Sequence, residues 1–203
     1  MSSHSPSPLH VAKKALRRQL RQARRSLPAA TARANAIAVA RSLLNNQRVT
    51  GCRCISGYLA SDGELDLEPT LKALSQRGID VVLPALTSRE DGYHMLFRQL
   101  VPDRLELGPF SLMQPDANCP SVPTADIDLV LLPLVGFDAN GNRLGMGGGY
   151  YDRTLVDTRA IRIGIAHATQ RVDNLPSEQH DLRLHAVATE VGLAWFDPAD
   201  PAS

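Results

Sequence analysis

The chain has 203 residues, of which 43% are hydrophobic and 21% charged, the composition of a globular protein with one substantial core. A formal net charge of +1 argues against nucleic acid as a partner. No apolar run is long enough to span a membrane, and the first dozen residues lack the apolar centre of a secretory signal. The cysteines Cys52, Cys54 and Cys119 fit neither a disulfide framework nor a familiar zinc site, so we expect a reducing, cytoplasmic compartment.

Two helices are predicted before the first strand. Residues 1–10 are predicted to be a flexible tail, and residues 11–197 to form a single domain. From 11 to 27, apolar residues at helical spacing predict an amphipathic helix whose remaining surface is basic. Pro28 disfavours a helical residue before it and opens a second helix, which is predicted to end near Asn45.

The rest of the chain alternates between apolar strands and helices. Strands are predicted at 54–59, 79–83, 94–99, 127–132, 161–166 and 186–191, and helices at 69–76 and 150–156. Pro84 is expected to close the second strand, and the prolines between 100 and 125 predict an ordered loop. This alternation predicts a three-layer α/β/α fold with an open, mostly parallel, Rossmann-like sheet, of the kind found in sugar-phosphate isomerases and CoA-transferases.

The most informative segment is 133–152, PLVGFDANGNRLGMGGGYYD, which follows a strand predicted to be covered on both faces. Open α/β sheets bind their ligands at the carboxyl ends of their strands, where this segment begins. Glycines let backbone N–H groups approach a ligand, the next helix adds the positive end of its dipole, and Arg143 adds a forked cation. These features predict an anion cradle, although the segment has neither the P-loop lysine nor the dinucleotide-binding glycine spacing.

The full string Gly-Phe-Asp-x-x-Gly-x-Arg-Leu-Gly-x-Gly-x-Gly-Tyr-Tyr-Asp resembles the signature of the 5-formyltetrahydrofolate cyclo-ligase family, also called methenyltetrahydrofolate synthetases. The similarity continues in order over about residues 12 to 191, in AKKALR (12–17), YLASDGE (58–64), VLP (82–84) and FSLMQP (110–115). It implies an enzyme that uses ATP and Mg²⁺ to close 5-formyltetrahydrofolate into 5,10-methenyltetrahydrofolate, through a phosphorylated formyl group. The implied partner is that small-molecule substrate, with or without a polyglutamate tail, and we expect a monomer.

The resemblance also implies roles for individual residues. Lys13 and Arg17 would reach the ATP phosphates, and Lys13 and Arg143 would act in catalysis. The implied ATP site consists of Lys13, Lys14, Arg17, Arg143, Leu144, Gly145, Met146, Gly147, Gly148, Gly149, Tyr150 and Tyr151. The implied folate site consists of Leu59, Glu64, Phe110, Met146, Gly147, Gly148, Gly149 and Tyr150. Glu64 would accept hydrogen bonds from the pterin, and Asp152 and Asp181 would hold Mg²⁺.

Each role has a plainer structural alternative. Lys13 and Arg17 also have the pattern of a solvated basic face. For the remaining cations of the helix we expect only that role: Arg18, Arg21, Arg24 and Arg25. Asp152 would interact favourably with a helix dipole, and Asp181 fits a loop turn. The alternative functions are a sugar-phosphate isomerase, by fold analogy, and a module that binds RNA or an acidic partner through the basic helix.

Overall fold

The computed structural model of the protein describes residues 8–176 and 181–196. Residues 1–7 of the predicted tail, and residues 177–180 and 197 of the predicted domain, lie outside the described residues. The helices are α1 Pro8–Arg25, α2 Ala29–Leu44, α3 Gln47–Thr50, α4 Glu68–Gln76 and α5 Tyr150–Thr154. The strands are β1 Cys54–Ser56, β2 Asp80–Arg89, β3 Gly92–Gln99, β4 Leu105–Leu107, β5 Met113–Pro115, β6 Ser121–Val122, β7 Leu129–Pro133, β8 Gly136–Phe137, β9 Arg143–Leu144, β10 Ile161–Ile165, β11 Ala186–Thr189 and β12 Gly192–Trp195.

The main sheet has the strand order β12-β11-β10-β7-β1-β2-β3-β6 within the described ranges. The strands from β11 to β2 are parallel to one another, whereas β12, β3 and β6 pair antiparallel at the two sides. Helices flank this mostly parallel sheet, so the predicted three-layer α/β fold is confirmed.

The two faces of the sheet carry separate hydrophobic clusters. Leu129 and Leu131 of β7 belong to the cluster that includes residues of α2 and α4. Val130 and Leu132 belong to the cluster on the other face, which includes Leu155 at the end of α5. Because successive side chains of a strand point to opposite faces, covering both faces requires the continuous apolar run that predicted this strand.

The strand order reverses between β1 and β7. From β1 the chain crosses over through α4 to β2 on one side, whereas from β7 it proceeds to β10 and β11 on the other. The loops that leave the carboxyl ends of β1 and β7 therefore diverge and open a crevice between them. Loop 57–67 leaves β1, and the hairpin of β8 and β9 follows β7.

Helix α1 packs across this carboxyl edge. Its Leu20 is buried against Val135, Leu144 and Leu175. A Cβ atom at Gly136 would lie 2.5 Å from Cδ1 of Leu20, so the absence of a side chain at Gly136 leaves room for the Leu20 side chain against β8. Because Leu20 is packed against this edge of the sheet, the basic residues of α1 lie over the crevice.

None of the helices in the described part of the chain is both long and apolar enough to cross a bilayer.

Some predicted boundaries were wrong. Helix α1 begins at Pro8, three residues before its predicted start, and α5 ends at Thr154 rather than 156. Strand β2 does not close at Pro84 but continues to Arg89. The oxygen of Val82 accepts a hydrogen bond from Gly57 of the β1 side, so the nitrogen of Pro84 faces the same side, where β1 has already ended.

Short strands were missed altogether. The loop predicted for 100–125 contains β4 and β5, which pair with each other, and β6, which pairs with β3. Strands β8 and β9 form a hairpin around the glycine-rich segment, and β12 follows the strand predicted to be last. These strands have two to four residues each, too few for an alternating pattern to be visible in the sequence.

Candidate active site

The first half of the crevice lies between α1 and the glycine-rich segment. Nε of Arg17 donates to the backbone oxygen of Gly145 at 2.8 Å. Gly147 has φ +101°, and a Cβ there would lie 3.4 Å from the guanidinium carbon of Arg17. The glycine thus leaves open the space in front of a cation, as a site for a phosphate group requires.

Two ion pairs border this cradle. Nζ of Lys13 is 2.9 Å from Oδ2 of Asp181, with 10% of the Lys13 side chain exposed. The guanidinium of Arg143, 4% exposed, is 2.5 Å from Oδ1 of Asp152. Lys13 and Arg143, proposed to bind phosphate, are therefore each paired with a carboxylate proposed to bind metal.

The ion pair with Asp152 leaves one donor of Arg143 without a partner in the described part of the chain. Nε of Arg143 is buried and has no hydrogen-bond partner among the described residues. Burial lowers the pKa of Arg17, and the nearby Asp181 carboxylate raises it. A buried donor without a partner is costly, so an anion entering the cradle would relieve that cost.

The carboxylates also have structural contacts. Oδ1 of Asp152 accepts a hydrogen bond from the backbone nitrogen of Leu182 at 3.2 Å, as well as from Arg143. Asp152 thereby joins α5, the hairpin and the segment that begins at Asp181. Because α5 is a single turn, its dipole adds little to the cradle, contrary to the longer helix predicted from the sequence.

The side chains of Lys14 and Leu144, two residues of the predicted ATP site, lie away from the cradle. Lys14 is exposed, on a different side of α1 from the buried Lys13. The side chain of Leu144 is buried in the cluster beneath α1, and its backbone oxygen accepts from Val135 at 2.7 Å. Leu144 therefore supports the hairpin from inside the core.

The second half of the crevice contains Glu64, whose side chain is 10% exposed. Its Oε2 accepts hydrogen bonds from the backbone nitrogen and hydroxyl of Ser61 at 3.1 and 3.3 Å. Burial raises the pKa of Glu64, whereas the Ser61 hydrogen bonds and the charge of Arg24 lower it. A buried carboxylate of this kind suits the amino-pyrimidine edge of a pterin, which presents N–H donors.

The hydroxyl of Tyr151 is affected by charges in both halves of the crevice. Burial raises the pKa of its hydroxyl, the charge of Glu64 raises it further, and the charge of Arg143 opposes both. The phenol therefore stays protonated at neutral pH and can donate a hydrogen bond.

An aromatic wall borders the crevice. The rings of Tyr93 and Phe110 are 5.6 Å apart, and those of Phe110 and Tyr150 are 6.3 Å apart. Phe110 is 64% exposed and Met146 is 52% exposed, which is unusual for such large apolar side chains. Leu59, in contrast, is only partly exposed and packs against the core under α2. Tyr93, which the sequence analysis missed, belongs to this wall.

Sequence reasoning also missed the cluster around Asp62. Arg24 was expected to be solvated, but it is 2% exposed and binds Asp62 together with Arg21 and Arg25. The signal was present in the spacing, because Arg24 continues the line of Leu16 and Leu20 at intervals of four. That line is the buried stripe of α1.

Asp138 was a second omission. Its carboxylate is 0% exposed and accepts hydrogen bonds from Asn140, Asn142 and the backbone of Leu175, at 2.9 to 3.0 Å. These bonds close the turn between β8 and β9 and tie it to the segment after β10. Asp138 therefore shapes the hairpin that presents the cradle.

The residues present fit a nucleotide with its metal better than a protein-bound metal alone. In the described residues, no group of three or more His, Cys, Asp or Glu side chains could hold an ion. Magnesium that accompanies a nucleotide needs only one or two carboxylates, because phosphate oxygens and waters complete its shell. Asp152 and Asp181, next to the glycine cradle, meet that smaller requirement.

Comparisons with known proteins agree with one another. The sequence profile of the 5-formyltetrahydrofolate cyclo-ligase family matches residues 10–190. A 5-formyltetrahydrofolate cyclo-ligase of Haemophilus influenzae is 33% identical over 173 residues, covering 83% of this chain and 92% of the relative. That of Escherichia coli K12 is 34% identical over 175 residues, covering 84% and 96%. The NMR structure of Aquifex aeolicus 5,10-methenyltetrahydrofolate synthetase has a TM-score of 0.78 at 26% identity, covering 90% of this chain and 92% of that one.

Proposed function

Because the chain belongs to the 5-formyltetrahydrofolate cyclo-ligase family, we propose that it converts 5-formyltetrahydrofolate and MgATP into 5,10-methenyltetrahydrofolate, ADP and phosphate. The observation that carries the proposal is the crevice at the strand-order reversal. It combines a cation-lined glycine cradle with a buried carboxylate and an aromatic wall. One half suits phosphates and the other suits a pterin.

The reaction explains why both halves are needed. The oxygen of the formyl group on N5 is a poor leaving group. Transfer of the γ-phosphoryl group of ATP to this oxygen creates a phosphate ester. N10 then attacks the formyl carbon, loses its proton, and displaces phosphate to leave the methenyl bridge. Catalysis of such a transfer depends on positioning and on charge neutralisation.

In this proposal, cations of the cradle neutralise the phosphates. Arg17 and Arg143 present forked donors, and Lys13 presents an ammonium group on the same side of α1. To bind phosphate, Lys13 would exchange Asp181 for the nucleotide, and Arg143 would share its donors between Asp152 and the phosphate. The two carboxylates would then be available to Mg²⁺, which supplies charge neutralisation when bound.

On the folate side, Glu64 would accept hydrogen bonds from the pterin edge. Phe110, Tyr150 and Met146 would cover the apolar faces of the substrate. Tyr151, positioned between Glu64 and Arg143, would donate a hydrogen bond where the formyl group meets the phosphate.

The alternative functions are less well supported. A sugar-phosphate isomerase would have no use for the folate-sized aromatic wall, and the family profile is that of a ligase. For an RNA-binding helix, α1 has lost much of its free charge, because Lys13, Arg21, Arg24 and Arg25 are all paired with aspartates.

We also propose a cytoplasmic location and a monomer that binds neither nucleic acid nor a membrane. All three cysteines fall in the described part of the chain and carry free thiols. Burial raises the pKa of the Cys52 and Cys54 thiols to about 11. Both thiols therefore stay protonated at neutral pH and resist oxidation, because the thiolate is the reactive form. Such cysteines suit a reducing compartment.

The direct test is to mix the purified protein with 5-formyltetrahydrofolate and MgATP and to record the absorbance of the methenyl product. We expect product only when ATP and Mg²⁺ are both present. Substitution of ATP by its non-hydrolysable β,γ-imido analogue is the matched control and should give none. Absence of product with folded protein would contradict the proposal.

A further inference from the structure

A buried ion cluster lies behind the loop that carries Glu64. The side chain of Arg24 has 0% of its surface exposed. Its Nε donates to the backbone oxygen of Asp62 at 2.9 Å, and one terminal nitrogen donates to the Asp62 carboxylate at 2.8 Å. The other terminal nitrogen donates to the backbone oxygen of Leu134 at 3.2 Å. Arg24 therefore ties α1 to the loop after β1 and to the end of β7.

Arg24 also lies against the carboxylate proposed to meet the pterin. A terminal nitrogen of its guanidinium is 3.7 Å from Oε1 of Glu64. The second oxygen of Glu64, Oε2, is already held by Ser61. The carboxylate is thus fixed on one oxygen by its own loop and faces a buried cation with the other.

Neighbouring arginines provide an internal comparison. Arg21 and Arg25 donate to the same Asp62 carboxylate at 2.8 and 2.5 Å, but they are 35% and 53% exposed. Within the described part of the chain, the ion pair with Glu64 belongs to Arg24 and to neither of these two. All three arginines therefore pair with Asp62, and among them Arg24 also pairs with Glu64.

The loop itself is held in an unusual conformation. Asp62 has φ +52°, in the left-handed region that side chains other than glycine rarely adopt. Such a conformation persists only where surrounding contacts determine it, and those contacts come from α1. A buried cation is also costly unless it is fully paired, and the partners of Arg24 all lie at this edge of the crevice.

We propose that Arg24 is a positioning residue for the folate half of the site, which holds loop 57–67 and orients the Glu64 carboxylate toward the pterin edge. The inference rests on the proposed function. Arg24 acts through Glu64 and does not touch the substrate. Because α1 also carries Lys13 and Arg17, the same helix organises the phosphate half and the folate half.

The test measures the dissociation constants of 5-formyltetrahydrofolate and MgATP separately, by isothermal titration calorimetry. For Arg24→Met we expect the folate constant to rise at least about tenfold, while the MgATP constant changes less than about threefold. The matched controls Arg21→Met and Arg25→Met, which each remove a cation from Asp62, should leave the folate constant within about threefold. Arg24→Lys, which keeps the charge, should recover part of the lost affinity.

A double-mutant cycle separates positioning from general support of the fold. If Arg24 acts through Glu64, the Arg24→Met/Glu64→Gln protein should bind folate no more weakly than Glu64→Gln alone. Additive losses, or equal losses of folate and MgATP affinity, would overturn the inference. Should Arg24→Met fail to fold, the same cycle with Arg24→Lys gives the decision.

The binding readout also separates this inference from the proposed function. A wild-type protein that binds 5-formyltetrahydrofolate without forming product would overturn the proposed reaction and leave the cycle measurable. A wild-type protein that does not bind the folate would overturn both.

Discussion

Arg17 and Arg18 are adjacent on α1, yet their environments differ. Arg17 is half-buried and binds Gly145 of the cradle, whereas Arg18 is exposed. An arginine whose donors are fixed by a backbone oxygen loses little conformational freedom when it binds a phosphate. The same residue type one position away has no such preparation.

We therefore expect Arg17→Met to raise the KM for MgATP about tenfold or more, because a charged hydrogen bond to phosphate is lost. The KM for 5-formyltetrahydrofolate should change little. Arg18→Met is the matched control and should have wild-type kinetics. Steady-state kinetics with each substrate varied in turn is the measurement, and equal effects of the two substitutions would contradict the cradle.

The Asp62 carboxylate stabilises the fold in a way that depends on pH. Burial raises the pKa of its carboxyl, but hydrogen bonds from Arg21, Arg25 and Arg24 outweigh burial and hold the pKa at about 2. A pKa below the ordinary value of 3.8 means that the folded state favours the ionised form. The stability that this carboxylate contributes is therefore present above about pH 4 and is lost as the pH falls toward about 2.

Asp62→Asn should accordingly lower the free energy of unfolding at about pH 7, and the difference from wild type should shrink toward about pH 2.5. Urea unfolding at several pH values measures this. Asp157→Asn, at an exposed position, is the control and should leave the free energy of unfolding at about pH 7 within about 0.5 kcal/mol of wild type. A constant difference across the range would show that Asp62 acts through packing instead of charge.

The hairpin of β8 and β9 is the element on which the cradle depends. It has two residues in each strand, so its backbone pairing alone is too slight to fix its shape. Asp138 supplies the missing restraint, since its buried carboxylate accepts hydrogen bonds from Asn140 and Asn142 across the turn and from the segment after β10. Asp138 therefore helps to fix the hairpin from which the glycine-rich segment continues.

Replacement of Asp138 by alanine should therefore lower the free energy of unfolding by about 2–4 kcal/mol, because several buried donors are left unsatisfied. The KM for MgATP should rise in any protein that remains folded. Asn140→Ala, which leaves the backbone donor to Asp138 in place, should cost less than about 0.5 kcal/mol. Chemical unfolding of the two variants distinguishes them, and similar losses would argue against the role of the carboxylate.

At this scale the sequence was informative where elements are long or completely covered. The apolar runs of β7 and β10 and the periodicity of α2 were sufficient, because burial on two faces or on one helical stripe leaves a local pattern. The strands β4, β5, β8, β9 and β12 were not predictable in this way. Each exists because a partner strand lies beside it, and pairing with another segment leaves little trace in two to four residues.

The candidate site was predictable to a similar degree. The glycine-rich segment and Glu64 were predicted from two contiguous strings of residues, 133–152 and 58–64. Arg24 was missed because its partners Asp62 and Leu134 are 38 and 110 positions away, and because charged residues on a basic helix are usually solvated. Lys14, which was also predicted for the ATP site, lies on a different side of the helix from Lys13.

At the scale of the whole molecule, bound ligands should stabilise the packing of α1 against the sheet. MgATP at about 100 times its dissociation constant should stabilise the fold by about 2.7 kcal/mol. For a chain of this size that corresponds to a rise in Tm of roughly 5–10 °C. Differential scanning calorimetry measures the shift, and adenosine, which has no phosphates for the cradle, is the control and should produce none. An equal shift with adenosine would contradict phosphate binding.

The crevice joins residues that are far apart in sequence: Lys13 and Asp181 are separated by 168 positions, and Arg24 and Leu134 by 110. A ribosome adds about 5–20 residues per second, so after α1 is made several seconds to roughly half a minute pass before these partners exist. During that interval Arg21, Arg24 and Arg25 of α1 can already pair with Asp62, but Lys13 lacks Asp181 and Arg24 lacks the backbone oxygen of Leu134. The active crevice is thus assembled last, and a chain released early has the ion pairs with Asp62 but no working site.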